Sequence, residues 1–111
     1  MNDHFTIRES QRDGIAEVHL GGELDLTAKP AVHSIVSRRL NDQTITGIVL
    51  DLSDVTFIDS SGIGGLIGCR NLASVVGKPL RAVGAKGRVA TVLDLTGVGA
   101  LLDGDRSTAP D

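Results

Sequence analysis

The stretch "ITGIVLDL", in which Ile48, Val49, Leu50 and Leu52 are almost unbroken, most constrains how this chain can fold. A continuous β-branched run reads as a strand covered on both faces. Each flank carries apolar residues at helical spacing. Upstream, from Ala28 to Leu40, Val32, Ile35, Val36 and Arg39 fall on one side of a helix, with Arg39 able to bury its stem and expose its head. Thr27 is the expected N-cap, and Pro30 fits a first turn. Downstream, Leu66, Cys69, Ala73 and Val76 recur at i, i+3, i+7 and i+10, with Ile63 and Ile67 close by. Gly77 ends that helix and Pro79 prevents its return. Strand between helices means a βαβ unit, hence a largely parallel sheet with crossover helices.

The remaining segments extend this core. Phe5 and Ile7 alternate with polar residues, and Ile15, Ala16, Val18 and Leu20 follow the turn signal Asp13-Gly14. This predicts a β-hairpin with a loop longer than two residues. "GELD" ends its second strand. "LRAV" is a short strand, and Val89, Val92 and Leu93 mark a third helix stopped by Gly97. Ala100–Leu102 reads as a last edge strand, and residues 103–111 as a flexible tail. The expected fold class is α/β: one domain over residues 1–111, ordered from about 5 to 102. It has a mixed, mostly parallel sheet in the order β-β-α-β-α-β-α-β.

Composition narrows the function classes. The chain has 111 residues, 41% hydrophobic, with Phe5 and Phe57 its only aromatics, so the core is built of Val, Ile, Leu and Ala. A net charge of −3 gives no basic face for direct nucleic-acid binding, and the lack of Trp and Tyr removes stacking platforms. One cysteine, Cys69, makes no internal disulfide; it lies on the apolar stripe and reads as a small core residue. No Cys/His cluster has zinc spacing, and no metal or cofactor is expected. No apolar run is long enough for a membrane span, and "MNDHFTIRES" lacks the marks of a secretion signal. His4, His19 and His33 are scattered and read as surface or strand residues.

The chemistry concentrates in "DSSGIGG", Asp59 to Gly65. Three glycines fall within four residues at the start of a helix, although each interior glycine costs about 1 kcal/mol relative to Ala. At 100° per residue Ser60, Gly64 and Gly68 form one ridge, with Ser61, Asn71 and Val75 beside it. The apolar stripe points the other way. A flat ridge lets another protein's backbone come close to a hydroxyl at the helix start. Close helix–sheet packing is the competing reason for the glycines, because Gly62 and Gly65 fall off the ridge. Asp59 or Ser60 is the N-cap; spacing does not choose. Asp25 is either a turn or cap residue or part of a partner surface. In open α/β sheets partners engage the carboxyl ends of strands, which groups Glu23, Asp25, Asp59 and Ser60 at one end. A phosphate on Ser60 would add roughly −1.5 to −2 charge there. A hydrolase reading fails, since Asp and Ser occupy the glycine slots of G-x-S-x-G and all three histidines precede residue 34. "GAKGRVAT" is only a faint echo of a phosphate loop. No enzyme activity or catalytic residue is expected.

"GELDLTAKP", "VLDLSDVTFIDSSGIGGLIGCRNLA" and "VLDLTGVGALL" together resemble the anti-sigma factor antagonists of the STAS domain family, from about Phe5 to Leu102. The resemblance implies phosphorylation of the first motif serine, here Ser60. It implies binding to an anti-sigma factor that is also a serine kinase, release on phosphorylation, and restoration by a serine phosphatase in the bacterial cytoplasm. The implied partner surface comprises Glu23, Asp25, Asp59, Ser60, Ser61, Gly64 and Gly68. Gly65 stands where relatives commonly carry a larger apolar residue, and Cys69 and Arg70 replace more usual choices, which bears on the identity of the partner. Two other readings remain: a small STAS subunit of a membrane transport ATPase, and a small-ligand or nucleotide sensor using the strand ends as a pocket.

Overall fold

The structure is a computed structural model that describes residues 4–97. The expected last strand at 100–102 and the tail at 103–111 lie outside the described residues. In chain order the elements are β1 (Phe5–Arg12), β2 (Ile15–Leu24), α1 (Lys29–Leu40), β3 (Gly47–Ile58), α2 (Ser60–Val75), β4 (Leu80–Val83) and α3 (Gly87–Thr96). The four strands stand in the order β1-β2-β3-β4. β1 and β2 are antiparallel, while β3 pairs parallel with both β2 and β4. This is the expected mixed, mostly parallel α/β domain.

The hairpin is tighter than its sequence suggests. Arg12 faces Ile15 directly, so the loop is the two residues Asp13 and Gly14, with φ of 53° and 84°. Positive φ at both central positions is the primed turn whose twist matches paired strands. Apolar alternation stops after Ile7, where β1 becomes polar, so sequence spacing alone does not fix the length of this loop.

β3 differs from the expectation that both of its faces are covered. Ile48, Leu50 and Leu52 are fully buried, whereas Val49, Asp51 and Ser53 are half-exposed. The buried residues join Ala16, Val18 and Leu20 of β2 and the apolar faces of all three helices in one core. The opposite sheet face is polar. There His19 Nδ1 lies 3.3 Å from Asp51 Oδ2, and His19 Nε2 lies 3.7 Å from Glu17 Oε1. Val49 reads as a core residue only when its strand is taken without its neighbours.

Capping explains the helix ends. α1 has Pro at its first positions, but Ala28 is its N-cap and makes no side-chain cap bond. The Thr27 hydroxyl instead donates to Asp25 Oδ1 at 2.7 Å, and the same oxygen accepts the backbone N–H of Thr27 at 3.0 Å and of Ala28 at 3.3 Å. Thr27 is therefore not the cap, and Asp25 takes the turn role, one of its two expected ones. α2 stops where Gly77 adopts φ of 74°. Gly77 N–H donates to Ser74 O and Lys78 N–H to Ala73 O, the paired bonds of a Schellman motif. Of the expected α2 stripe, Leu66, Cys69 and Ala73 are buried, but Val76 is the C-cap and is exposed. α3 ends on Gly97 with φ of 76°, as expected. Arg38 and Arg39 tie α1 to β1 through Glu9, each at 2.8 Å.

Candidate docking and modification site

Two register shifts shape the end of the sheet. His19 pairs with Asp51 and Leu24 with Ile58, so five steps along β2 match seven along β3. The extra residues bend the strands where "LGGE" allows it. Gly22 has φ of 88°, and a Cβ there would collide with the His4 carbonyl oxygen. The result sets Leu24 beside Ile58, and Asp59 N–H lies 3.4 Å from Leu24 O. Glu23, Asp25, Asp59 and Ser60 therefore sit at one end of the parallel strands, the carboxyl end of β2 and β3.

The competition between Asp59 and Ser60 is decided by geometry. Asp59 is extended and is the N-cap of α2; its Oδ1 accepts the Gly62 N–H at 2.9 Å. Ser60 is the first helical residue and is exposed, its hydroxyl not needed for the cap. Ser61 beside it is half-buried.

The glycines divide by role. A Cβ on Gly62 would strike the Leu24 carbonyl oxygen, with its carbon at 2.8 Å and Ile58 Cγ1 at 2.9 Å. Gly62 therefore lets α2 approach the end of β2. A Cβ on Gly65 would meet Lys29 Cγ at 3.2 Å, so Gly65 belongs to the α1–α2 contact. Gly64 is exposed, and a Cβ there would meet only Lys29 Nζ, at 3.9 Å; a Cβ on Gly68 would meet nothing within 4 Å beyond its own helix. Ser60, Gly64 and Gly68 thus form an uncovered outer strip one helical turn apart, while Gly62 and Gly65 serve packing.

The acidic residues are placed unequally. Glu23 is half-exposed, and its carboxylate lies 4.0 Å from His4 Nδ1. Asp25 is committed to the turn before α1, and the Thr27 hydroxyl, with backbone N–H groups, holds its carboxyl below the usual range. Leu26 and Phe57, exposed at 67% and 44%, were not singled out in the sequence. Phe57 lies opposite Glu23 in the β2–β3 register and Leu26 follows Asp25, so both border the same end. Only their exposure marks them, and neither breaks an apolar pattern. Cys69 is fully buried, and burial pushes its thiol up to about 11. Among the described residues no group of His, Cys, Asp and Glu could hold a metal ion, and no helix is long and apolar enough to cross a membrane.

A crevice beside Gly62, lined by Leu24, Lys29, Val32, Gly65 and Leu66, measures about 10 Å³, scarcely room for one water. A larger groove of about 460 Å³, among Arg12, Ile15, Glu17, Val49, Pro79 and Arg81, lies at the opposite end of the parallel strands.

Residues 6–109 match the STAS domain. This chain belongs to the STAS domain family. It is 27% identical, over 105 residues covering 95% of this chain and 96% of the relative, to the anti-sigma-B factor antagonist of Staphylococcus aureus. An anti-sigma factor antagonist from Mycobacterium paratuberculosis has a similar structure: TM-score 0.72, 25% identity, 92% of this chain and 86% of that one. The Bacillus cell fate determinant SpoIIAA in its phosphorylated form shares the fold, with TM-score 0.64 and 22% identity over 85% of this chain and 86% of that one. The named relatives are regulatory antagonists, in line with a binding protein and not an enzyme.

Proposed function

We propose that this STAS protein is an anti-sigma factor antagonist switched by phosphorylation of Ser60. Unphosphorylated, it binds an anti-sigma factor with serine kinase activity in the bacterial cytoplasm, and so frees a sigma factor for transcription. The kinase transfers the γ-phosphoryl group of ATP to Ser60 Oγ; ADP and the hydroxyl proton leave. A serine phosphatase hydrolyses the ester and restores binding. The contact surface is the outer strip of α2 with its rim: Glu23, Asp25, Asp59, Ser60, Ser61, Gly64 and Gly68.

One observation carries this reading. Ser60 is exposed on an uncovered strip while Asp59 does the capping, so Ser60 can be modified without unmaking the helix start. A phosphate there meets a helix N-terminus, which favours an anion, so the fold tolerates it. A docked partner would have to desolvate that charge against Glu23 and Asp59, so binding does not. The antagonist relatives, and a fold neighbour named in phosphorylated form, point the same way. The crevice beside Gly62 at this end is too small for a small-molecule ligand, which favours the docking reading.

The test is incubation with candidate anti-sigma kinases and ATP, with the modified residue mapped by mass spectrometry. Label should appear on Ser60 and vanish in Ser60→Ala, which stays folded and binds the kinase constitutively. Full labelling of Ser60→Ala would refute the site. Recovery of an ABC-type ATPase in place of a kinase in a pull-down would favour the transport-complex reading.

A further inference from the structure

Lys29 is the first residue of α1, yet its side chain lies across α2. Its Cγ is 3.2 Å from the point a Cβ on Gly65 would occupy, and its Nζ is 3.9 Å from the same point on Gly64. The stem fills the strip that Gly65 leaves bare, and the ammonium ends beside Gly64. Gly64 stands one turn below Ser60 on the same ridge, about 6 Å along the axis. A four-carbon stem carries its charge over that distance by rotation about its own bonds. Among the described residues Lys29 takes part in none of the ion pairs. Its ammonium is thus a cation beside the ridge at Gly64, in a chain of net charge −3 and at an end that carries Glu23, Asp25 and Asp59.

Taking Ser60 as the phosphorylation site, as proposed above, we infer that Lys29 is the in-chain counter-ion of the Ser60 phosphate. The ammonium pairs with the phosphoryl oxygens and draws them down over Gly64. The modified ridge is then covered as well as charged, so docking is blocked by shape as well as by repulsion. The glycine at 64 has a second use in this arrangement: any side chain there would stand between the ammonium and the phosphate.

The contact is tested without a kinase by placing phosphoserine at position 60 during translation. The second ionisation of the phosphate is followed by phosphorus NMR in low salt, in the parent, Lys29→Met and Lys29→Arg. Lys29→Met keeps the stem that packs on Gly65, and melting of the unphosphorylated forms checks the fold. An adjacent cation favours the dianion, so the parent should titrate about half a unit lower than Lys29→Met. Lys29→Arg should titrate with the parent, and molar salt should close the gap. Coincident curves for the parent and Lys29→Met in low salt would overturn the inference. Kinase labelling is a separate readout: failed labelling with the gap intact counts against the proposed function, and a missing gap with labelling intact counts against Lys29 as counter-ion.

Discussion

The two sides of α2 carry the same residue type for opposite reasons. On the inner side Gly62 is closed in by Leu24 and Ile58, above Leu66, Cys69 and Ala73. On the outer side a Cβ on Gly68 would meet nothing, and one on Gly64 only the tip of Lys29. One glycine is required by the fold, whereas the others leave a surface open at a cost in helix stability of about 1 kcal/mol each. A helix can therefore be fixed on one side and left adaptable on the other. On the function proposed above, that division would let a covalent charge on Ser60 act on docking without acting on folding.

Substitution can break this contrast. The largest effect belongs to Gly62→Ala, whose methyl group collides with backbone that cannot move without shifting α2 from β2. A loss of about 3 kcal/mol or more is expected in urea unfolding. Cys69 reports the same event: its buried thiol should resist aromatic disulfide reagents in the native parent and react in Gly62→Ala. A Gly62→Ala protein as stable as the parent would erase the distinction between the two sides.

Next in size is the helix start. Asp59→Ala removes the cap to Gly62 N–H and should cost about 1 kcal/mol, while Ser60→Ala should change stability by less than about 0.5 kcal/mol. The reverse order would make Ser60 the structural residue. Gly68→Ala should stabilise the chain by up to about 1 kcal/mol, since its methyl group meets nothing, and should weaken partner binding if the strip is the docking surface. A destabilised Gly68→Ala would place the outer side in the core.

Acid should have the smallest effect, and away from α2. At Glu9 burial raises the carboxyl, but hydrogen bonds from Arg39 and Arg38 outweigh it and leave it below 4.5. At Asp51 hydrogen bonds from Ser53, backbone first, hold the carboxyl below 3.8 against partial burial. A carboxylate lowered in the folded state adds stability that is present at neutral pH and lost as pH falls below its ordinary value. Melting temperatures between pH 7 and about pH 2.5 should therefore fall mainly below pH 4.5, and less steeply in Glu9→Gln. Equal slopes in the parent and Glu9→Gln would remove Glu9 from the account.

Local chemistry made much of this legible in the sequence. The alternation of strands and helices, the α2 stripe through Cys69, the stop at Gly77 and the grouping of Glu23, Asp25, Asp59 and Ser60 follow from spacing and turn residues. What escaped depends on contacts between distant segments. The outward face of Val49 is set by the packing, among the described residues, of the helices on the other side of the sheet, which no strand can announce alone. Between the two candidates at the start of α1, the Thr27 hydroxyl is taken up by Asp25, whose carboxylate also accepts two backbone N–H groups. The different uses of Gly62, Gly65 and Gly68 emerge only when β2 and α1 are laid against α2. The resemblance to STAS antagonists singled out Ser60, but not the lysine of another helix that lies against Gly64 and Gly65.

The most direct test compares the affinity of the anti-sigma factor for the parent and for the same chain carrying phosphoserine at position 60, by calorimetry, alongside the melting temperatures of both. The account predicts at least a tenfold loss of affinity, about 1.4 kcal/mol, with melting temperatures within about 4 °C of each other. Equal affinities, or a phosphorylated chain that loses binding only because it has unfolded, would contradict it.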